Sequence, residues 1–295
     1  MKVIDILNHS KITFSFEFFP PKTEPGWEKL FNTISELRDL KPSWVSVTYG
    51  AVGSMRENTH KLVIRIKSEI GLSVVSHLTC VNTGRDEINK ILETYHDAGV
   101  QNILALRGDP PAGQIWDTPA DGFRYAEELI GYVKRNHPGM CIGVAGFPEG
   151  HPATPNRLLE MDYLKAKVDS GADYIITQLF FDNRDFYDFR ERCELAGIKV
   201  PVIAGIMPVL NRNGMARIAD IAAGARIPAR LQKSVLRAEN DHFAEKVGIH
   251  WATEQVRDLI DNGVKGVHFY TLNAARATLN IYEQLGVSSS TRFSD

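Results

Sequence analysis

Cysteine is scarce in this chain: Cys80, Cys141 and Cys193 stand far apart, with no CxxC and no histidine-rich spacing around them. That excludes a disulfide framework and a cysteine-built zinc site, and it points to reduced thiols in a cytoplasmic protein. A charge of one sign is also missing. Against 36 Asp and Glu there are 34 Lys and Arg, for a net charge of -2, so neither nucleic acid nor an anionic membrane is expected as a general partner. No stretch approaches the roughly 20 apolar residues of a membrane span. Asp5 and Asn8 interrupt the apolar residues near Met1, so the start does not read as a signal peptide. No repeat, low-complexity segment or composition break marks a linker, so one catalytic domain over residues 1–295 is expected. With 43% hydrophobic residues the chain has enough apolar mass for a sizeable core.

What is present is a rhythm. Short apolar, β-branched runs fall at 14–19, 44–48, 74–80, 102–107, 141–147, 174–180, 200–206 and 266–270. Between them apolar residues recur at helical spacing, as in Trp27, Leu30, Phe31, Ile34 and Leu37, or Ile88, Ile91, Leu92 and Tyr95. Strands alternating with helices mean βαβ units and a parallel sheet. A doubly wound sheet shares that alternation, and counting to eight units favours the (β/α)8 TIM barrel. The seventh and eighth runs are about twice as far apart as the others, which predicts extra helices between them over 215–223, 242–250 and 253–261, lying at the barrel mouth.

The segment Thr13-Phe14-Ser15-Phe16-Glu17-Phe18-Phe19-Pro20-Pro21 sets a carboxylate among phenylalanines at a strand end. Successive strand residues face opposite sides, so Phe14, Phe16 and Phe18 share one face and Ser15 and Glu17 the other. Two environments are open to Glu17. In a greasy recess, desolvation raises its pKa and suits it to general-acid catalysis; alternatively it pairs with an arginine inside the barrel.

Barrel enzymes build their sites at the C-terminal ends of the strands. Those ends carry Glu17, Thr48-Tyr49-Gly50-Ala51, His77-Leu78-Thr79-Cys80, Arg107-Gly108-Asp109-Pro110, Phe147 with His151, Thr177-Gln178, and His268-Phe269-Tyr270. Titratable, amide and aromatic groups therefore converge on one mouth, fit for a flat heterocycle. There is no His-x-His on the first strand for a metal-dependent hydrolase, no Gly-x-Ser-x-Gly elbow, no Gly-x-Gly-x-x-Gly after a strand and no Schiff-base lysine at a strand end.

Six motifs, Ser15–Lys22, Val45–Ala51, His77–Cys80, Ala105–Pro110, Ile176–Asp182 and His268–Asn273, resemble those of the bacterial methylenetetrahydrofolate reductases, in the same order and each on a different strand end. The likeness runs from about residue 12 to 287. It implies a FAD-containing (β/α)8 barrel in which NADH or NADPH passes hydride to the flavin and leaves. Methylenetetrahydrofolate then binds and is reduced to methyltetrahydrofolate, in one-carbon metabolism leading to methionine. It also implies a homo-oligomer. Running the same barrel as a methyltetrahydrofolate oxidase, using another electron donor, or binding folate or flavin without turnover are the alternatives.

The resemblance implies that Glu17 is the acid that opens the methylene bridge. It places Asp109 beside the flavin and the pterin, where its charge tunes the flavin potential and favours the cationic iminium; its other role is capping the turn before Pro110. Thr48, Tyr49, Ala51, His77, Arg107, Gly108, Asp109, Phe147, His151, Lys167 and Tyr270 match cofactor-binding positions. Glu17, Thr48, Asp109, Gln178 and Arg276 match the substrate side. His77 and Tyr270 also suit core packing, Gln178 a bond between loops, and Lys167 a solvated helix face. Departures from the family pattern fall at the ribityl–phosphate–adenosine end and on substrate-side loops: Phe147 replaces a tyrosine, Glu160 an aspartate, Tyr163 an asparagine and Ala166 an arginine, leaving Arg157 or Lys165 as substitutes at the phosphates. Ala274 stands where an arginine for the folate tail is usual, with Arg276 nearby. No metal is implied.

Overall fold

The computed structural model describes residues 1–49, 54–108, 121–222 and 224–293. Its strands are β1 (Thr13–Phe18), β2 (Trp44–Val47), β3 (Val74–Thr79), β4 (Asn102–Leu106), β5 (Cys141–Gly146), β6 (Tyr174–Thr177), β7 (Val202–Ile206) and β8 (Gly266–Tyr270). All are parallel and close in sequence order, with β1 bonded to both β2 and β8. The helices are α1 (Val3–His9), α2 (Glu24–Arg38), α3 (Ser54–Arg65), α4 (Arg85–Asp97), α5 (Ala126–Asn136), α6 (Arg157–Asp169), α7 (Asn183–Leu195), α8 (Arg212–Ile221), α9 (Ala229–Arg237), α10 (Asp241–Asp261) and α11 (Arg276–Gln284). This is the expected (β/α)8 barrel.

Each strand has two buried faces. The outward face of β1 presents Phe14, Phe16 and Phe18, all fully buried. Phe14 and Phe16 lie 5.7 and 6.3 Å from the Tyr282 ring of α11. Burying each such ring stabilises the fold by roughly 1.5–3 kcal/mol, which ties the helical shell to the barrel wall. Inward, the lower barrel is filled by Trp44, Leu104, Tyr174 and Ile203, closed from below by Val3 and Leu7 of α1. Gly143 makes room for Tyr174, whose ring a Cβ there would strike. The plug helix α1 is absent from the sequence expectation, because seven residues give too little periodicity to register. It is held by its tertiary contacts: the Val3 amide donates to Asn102 Oδ1 at 2.8 Å, and Asn102 Nδ2 donates to the Met1 carbonyl.

Strand ends differ slightly from expectation. The seventh strand starts at Val202 and not at 200, since Pro201 brings no N–H to the ladder. The sixth ends at Thr177, because Leu179 and Phe181 turn away into a second core. That core joins the ends of β6 and β7 to α8, α9 and α10 through Met207, Val209, Met215, Ile218, Leu231, Val235 and Ala244. The extra helices therefore sit at the mouth, as expected, but they divide differently. α9 is an addition, and α10 is one continuous helix where two were anticipated. Gly248 lets α10 cross the β7 exit, since a Cβ there would run into the Val209 carbonyl.

Candidate active site

Period two on β1 sends Glu17 into the barrel mouth. Its backbone pairs with Ser46 on one side and Tyr270 on the other, so its neighbours are the inward residues of β2, β3 and β8. Glu17 Oε2 lies 3.3 Å from His77 Nε2 and 3.4 Å from His268 Nε2. Ser46 Oγ donates to it at 3.4 Å. Behind it, Ser15 Oγ and His268 Nδ1 are 2.7 Å apart. The Glu17 side chain keeps 16% exposure against 1% for His268, so the carboxylate is the opening of a buried polar chain to the mouth.

This environment corrects the expectation of a raised pKa. Desolvation is the largest influence on the Glu17 carboxyl and pushes it upward, but the imidazoles of His268 and His77 outweigh it and hold the carboxyl down at about 2. The phenylalanines lie on the opposite strand face, under the helices, and so do not wall the carboxylate. Nor is the partner an arginine, as the alternative had it: the two partners are histidines. Glu17 thus lies between two imidazoles, and it stands on the inner wall.

The β1 exit is pinned beside it. Asn273 accepts from the Phe19 amide at 2.9 Å and donates to its carbonyl at 2.8 Å. Leu272 and Asn273 take φ of 52° and 56°. A branched residue there is strained, a feature that concentrates at functional sites.

Across the β2–β4 ends, Thr48 is half-buried and its carbonyl accepts from Thr59 Oγ1 at 3.1 Å. The Tyr49 ring meets His60 edge-on at 5.9 Å, and its buried hydroxyl has no partner among the described residues. Burial pushes that phenol to about 12. Gly108 adopts φ of 77°, with Thr79 and Val81 so close that a Cβ would collide. Thr79 Oγ1 is itself buried and lacks a partner among the described residues. Arg107 Nε donates to the Gly108 carbonyl at 3.3 Å. Ala51 and Asp109 lie outside the described residues.

A second group gathers at the β5 end. Phe147 packs edge-on against His151 at 4.7 Å. Lys167 is not on a solvated face: from α6 its Nζ donates to the Ala145 carbonyl at 2.8 Å, and burial lowers the ammonium to about 8. Glu160, two turns earlier on the same helix face, is buried with an Oε2 that has no partner among the described residues. Its pKa is raised by desolvation, offset in part by Arg192, the His151 backbone, Arg157 and Lys167.

The remaining expectations divide. Gln178 is half-buried at the mouth, with its Oε1 accepting from the Leu179 amide at 2.9 Å. Tyr270 stands edge-on to His268 at 5.2 Å and donates to the Thr177 carbonyl at 2.8 Å. Arg276 is exposed and bound to Glu245 of α10 at 2.8 Å. The sequence assigns no site role to Ser15, Ser46 or His268. Their signal was present nonetheless: Ser15, Glu17, Ser46, Thr48, His77, Thr79, His268 and Tyr270 alternate with apolar residues on four strands, and only barrel closure makes β8 and β1 neighbours. Among the described residues, no group of three or more His, Cys, Asp or Glu is placed to hold a metal ion. No helix among them is long and apolar enough to cross a membrane.

Comparison with known proteins sets this geometry in context. The family model described as methylenetetrahydrofolate reductase matches residues 2–286. The chain is 41% identical to the 5,10-methylenetetrahydrofolate reductase of Salmonella typhimurium, over 94% of this chain and 92% of that protein. It is 38% identical to methylenetetrahydrofolate reductase (NADH) 1 of Arabidopsis thaliana over its full length, and 37% identical to methylenetetrahydrofolate reductase 1 of Schizosaccharomyces pombe. It spans 52% and 49% of those two, about half their length. Among solved structures, a Clostridium thermocellum protein that binds two copies of 5-methyl-5,6,7,8-tetrahydrofolic acid shares the fold, with a TM-score of 0.68 at 13% identity over 97% of this chain and 99% of that one.

Proposed function

The chain belongs to the methylenetetrahydrofolate reductase family, and on that premise we propose that it reduces 5,10-methylenetetrahydrofolate to 5-methyltetrahydrofolate. The residues at the strand ends would hold FAD, which would supply the hydride chemistry with NADH or NADPH as donor. Glu17 carries the assignment, as a carboxylate at the mouth with histidines behind it and solvent in front. The Arabidopsis relative is an NADH enzyme by name, which makes NADH the first donor to try.

The residues present fit FAD. Gly108 brings backbone within reach of a planar ligand, and the buried oxygens of Thr79, Tyr49 and Glu160 lack partners among the described residues. Such groups are costly unless something hydrogen-bonds them. Thr48, His77, Arg107 and Gly108 would line the ring, with Phe147, His151, Glu160 and Lys167 toward the phosphates and adenosine. Lys167 offers a positive charge that is already desolvated, which strengthens its attraction to a diphosphate. FAD, when bound, supplies hydride transfer and the protein supplies position and field.

The protein's own chemistry is proton handling. Glu17 gives a proton to the folate nitrogen that leaves the methylene carbon, opening the bridge to an iminium that accepts hydride. Gln178 can donate to one pterin group and accept from another. Asp109, at the end of the β4 run, would stabilise the positive iminium. The bound folate covers Glu17 and completes its desolvation, which favours the protonated form at the moment it is needed.

The test is direct. Purified protein incubated with FAD should become yellow, bleach with NADH under anaerobic conditions, and regain colour on adding methylenetetrahydrofolate. A protein that takes up no FAD would overturn the assignment and leave a folate-binding barrel without turnover.

A further inference from the structure

A carboxylate held at about 2 arrives without the proton that bridge opening requires. The groups facing it are His77 from β3, Ser46 from β2, and His268 and Tyr270 from β8. Tyr270 is committed elsewhere, its hydroxyl donating to the Thr177 carbonyl. His77 Nε2 lies 3.3 Å from Glu17 Oε2 but makes no hydrogen bond among the described residues. His268 differs. It is 1% exposed, its Nδ1 sits 2.7 Å from Ser15 Oγ, and its Nε2 points at Glu17 Oε2 with Ser46 Oγ 3.4 Å from both. Ser15, His268 and Glu17 thus form a line from the barrel interior to the mouth, sealed by the fully buried Ser15 and Ser46.

We propose that His268 stores the proton that Glu17 delivers, and that Ser15 holds its ring in the orientation that allows the exchange. The proposal rests on Glu17 being the acid of the folate step. With the proton stored, His268 donates from Nδ1–H to Ser15 Oγ and from Nε2–H to the Glu17 carboxylate. When folate covers the mouth, the Nε2–H bond breaks and an O–H bond forms on Glu17. That O–H then breaks as the proton passes to the departing folate nitrogen. No electrons are exchanged in these transfers. The neutral ring keeps its proton on Nδ1, against Ser15, so Nε2 is the basic atom. After product leaves, Glu17, the exposed end of the line, takes a proton from water and returns it inward. His268 and Ser15 are positioning residues, acting through Glu17.

The experiment follows Glu17 itself. The protein is labelled with carboxyl-13C glutamate, the Glu17 signal is assigned by its loss in Glu17→Gln, and its titration is compared in wild type, His268→Gln and Ser15→Ala. Single-turnover folate reduction is measured across pH on the same proteins. In His268→Gln the Glu17 titration should move up by more than one pH unit. Folate reduction should fall about 100- to 1000-fold, the range of lost proton transfer, with its pH profile displaced in the same direction. Ser15→Ala should shift both readouts the same way by less, and it serves if the first variant does not fold. A residue that merely packs the wall would lower the rate and leave titration and profile in place, and that result in either folded variant overturns the relay. A wild type inert toward folate, with a titration that still depends on His268, overturns the proposed function and the delivery step but leaves the coupled pair established.

Discussion

Replacing Glu17 with glutamine separates its two physical roles. The amide keeps the shape and can still accept hydrogen bonds, but it has no proton to give and no charge to share with His77 and His268, 3.3 and 3.4 Å away. Proton donation by a positioned side chain typically contributes 10²–10⁴-fold, so folate reduction should fall by about 3–5 kcal/mol of barrier at 1.36 kcal/mol per decade. Bleaching by NADH, which needs no such proton, should continue in Glu17→Gln. Stability changes too, and with a definite sign. The folded carboxyl sits at about 2 against its usual 4.5, so the unfolded chain binds the proton more readily between those values. The wild-type contribution is therefore complete above about pH 5 and is lost as pH falls toward 2; a gap of about two and a half pH units corresponds to roughly 3 kcal/mol. Stopped-flow of each half-reaction, together with denaturant melts from pH 7 to 3, reads both. The stability difference between wild type and variant should narrow on acidification. Equal losses in the two half-reactions, or a stability gap indifferent to pH, would refute the argument.

Other expectations follow from the same geometry. Lys167→Met should stabilise the FAD-free protein at pH 7 by about 1–3 kcal/mol, because an ammonium lowered to about 8 from its usual 10.5 makes the folded state gain stability only as pH rises through that window. The advantage should shrink toward pH 10, while FAD titrations show weaker binding; a destabilised variant would mean that the Ala145 bond outweighs burial. Gly248→Ala should destabilise by about 1–3 kcal/mol through overpacking against the Val209 carbonyl, read as a shifted denaturation midpoint, and an unchanged midpoint would show that α10 can move aside. Asp109→Asn should raise the flavin reduction potential in a dye-coupled titration; no change would place Asp109 away from the ring.

The sequence by itself determined the architecture and which residues stand at the strand ends. Eight apolar runs with helical spacing between them are local signals, repeated often enough to survive errors of a residue or two at the ends. Motifs at the strand ends likewise mark the mouth, because in a parallel barrel every C-terminal end faces the same way. What Glu17 touches was decided only in three dimensions. Phe16 and Phe18 are its neighbours in the chain yet lie behind the wall, while His268 is 251 residues away and 3.4 Å distant. Barrel assembly, which brings His77 of β3 and His268 of β8 to Glu17, exchanged a greasy recess for a pair of imidazoles and reversed the direction of the pKa. The same holds for Lys167, which a helix pattern leaves in solvent and which the structure half-buries, with its Nζ on the Ala145 carbonyl of β5. Periodicity says which face a residue takes; the charges it meets there come from strands that join it only when the barrel closes.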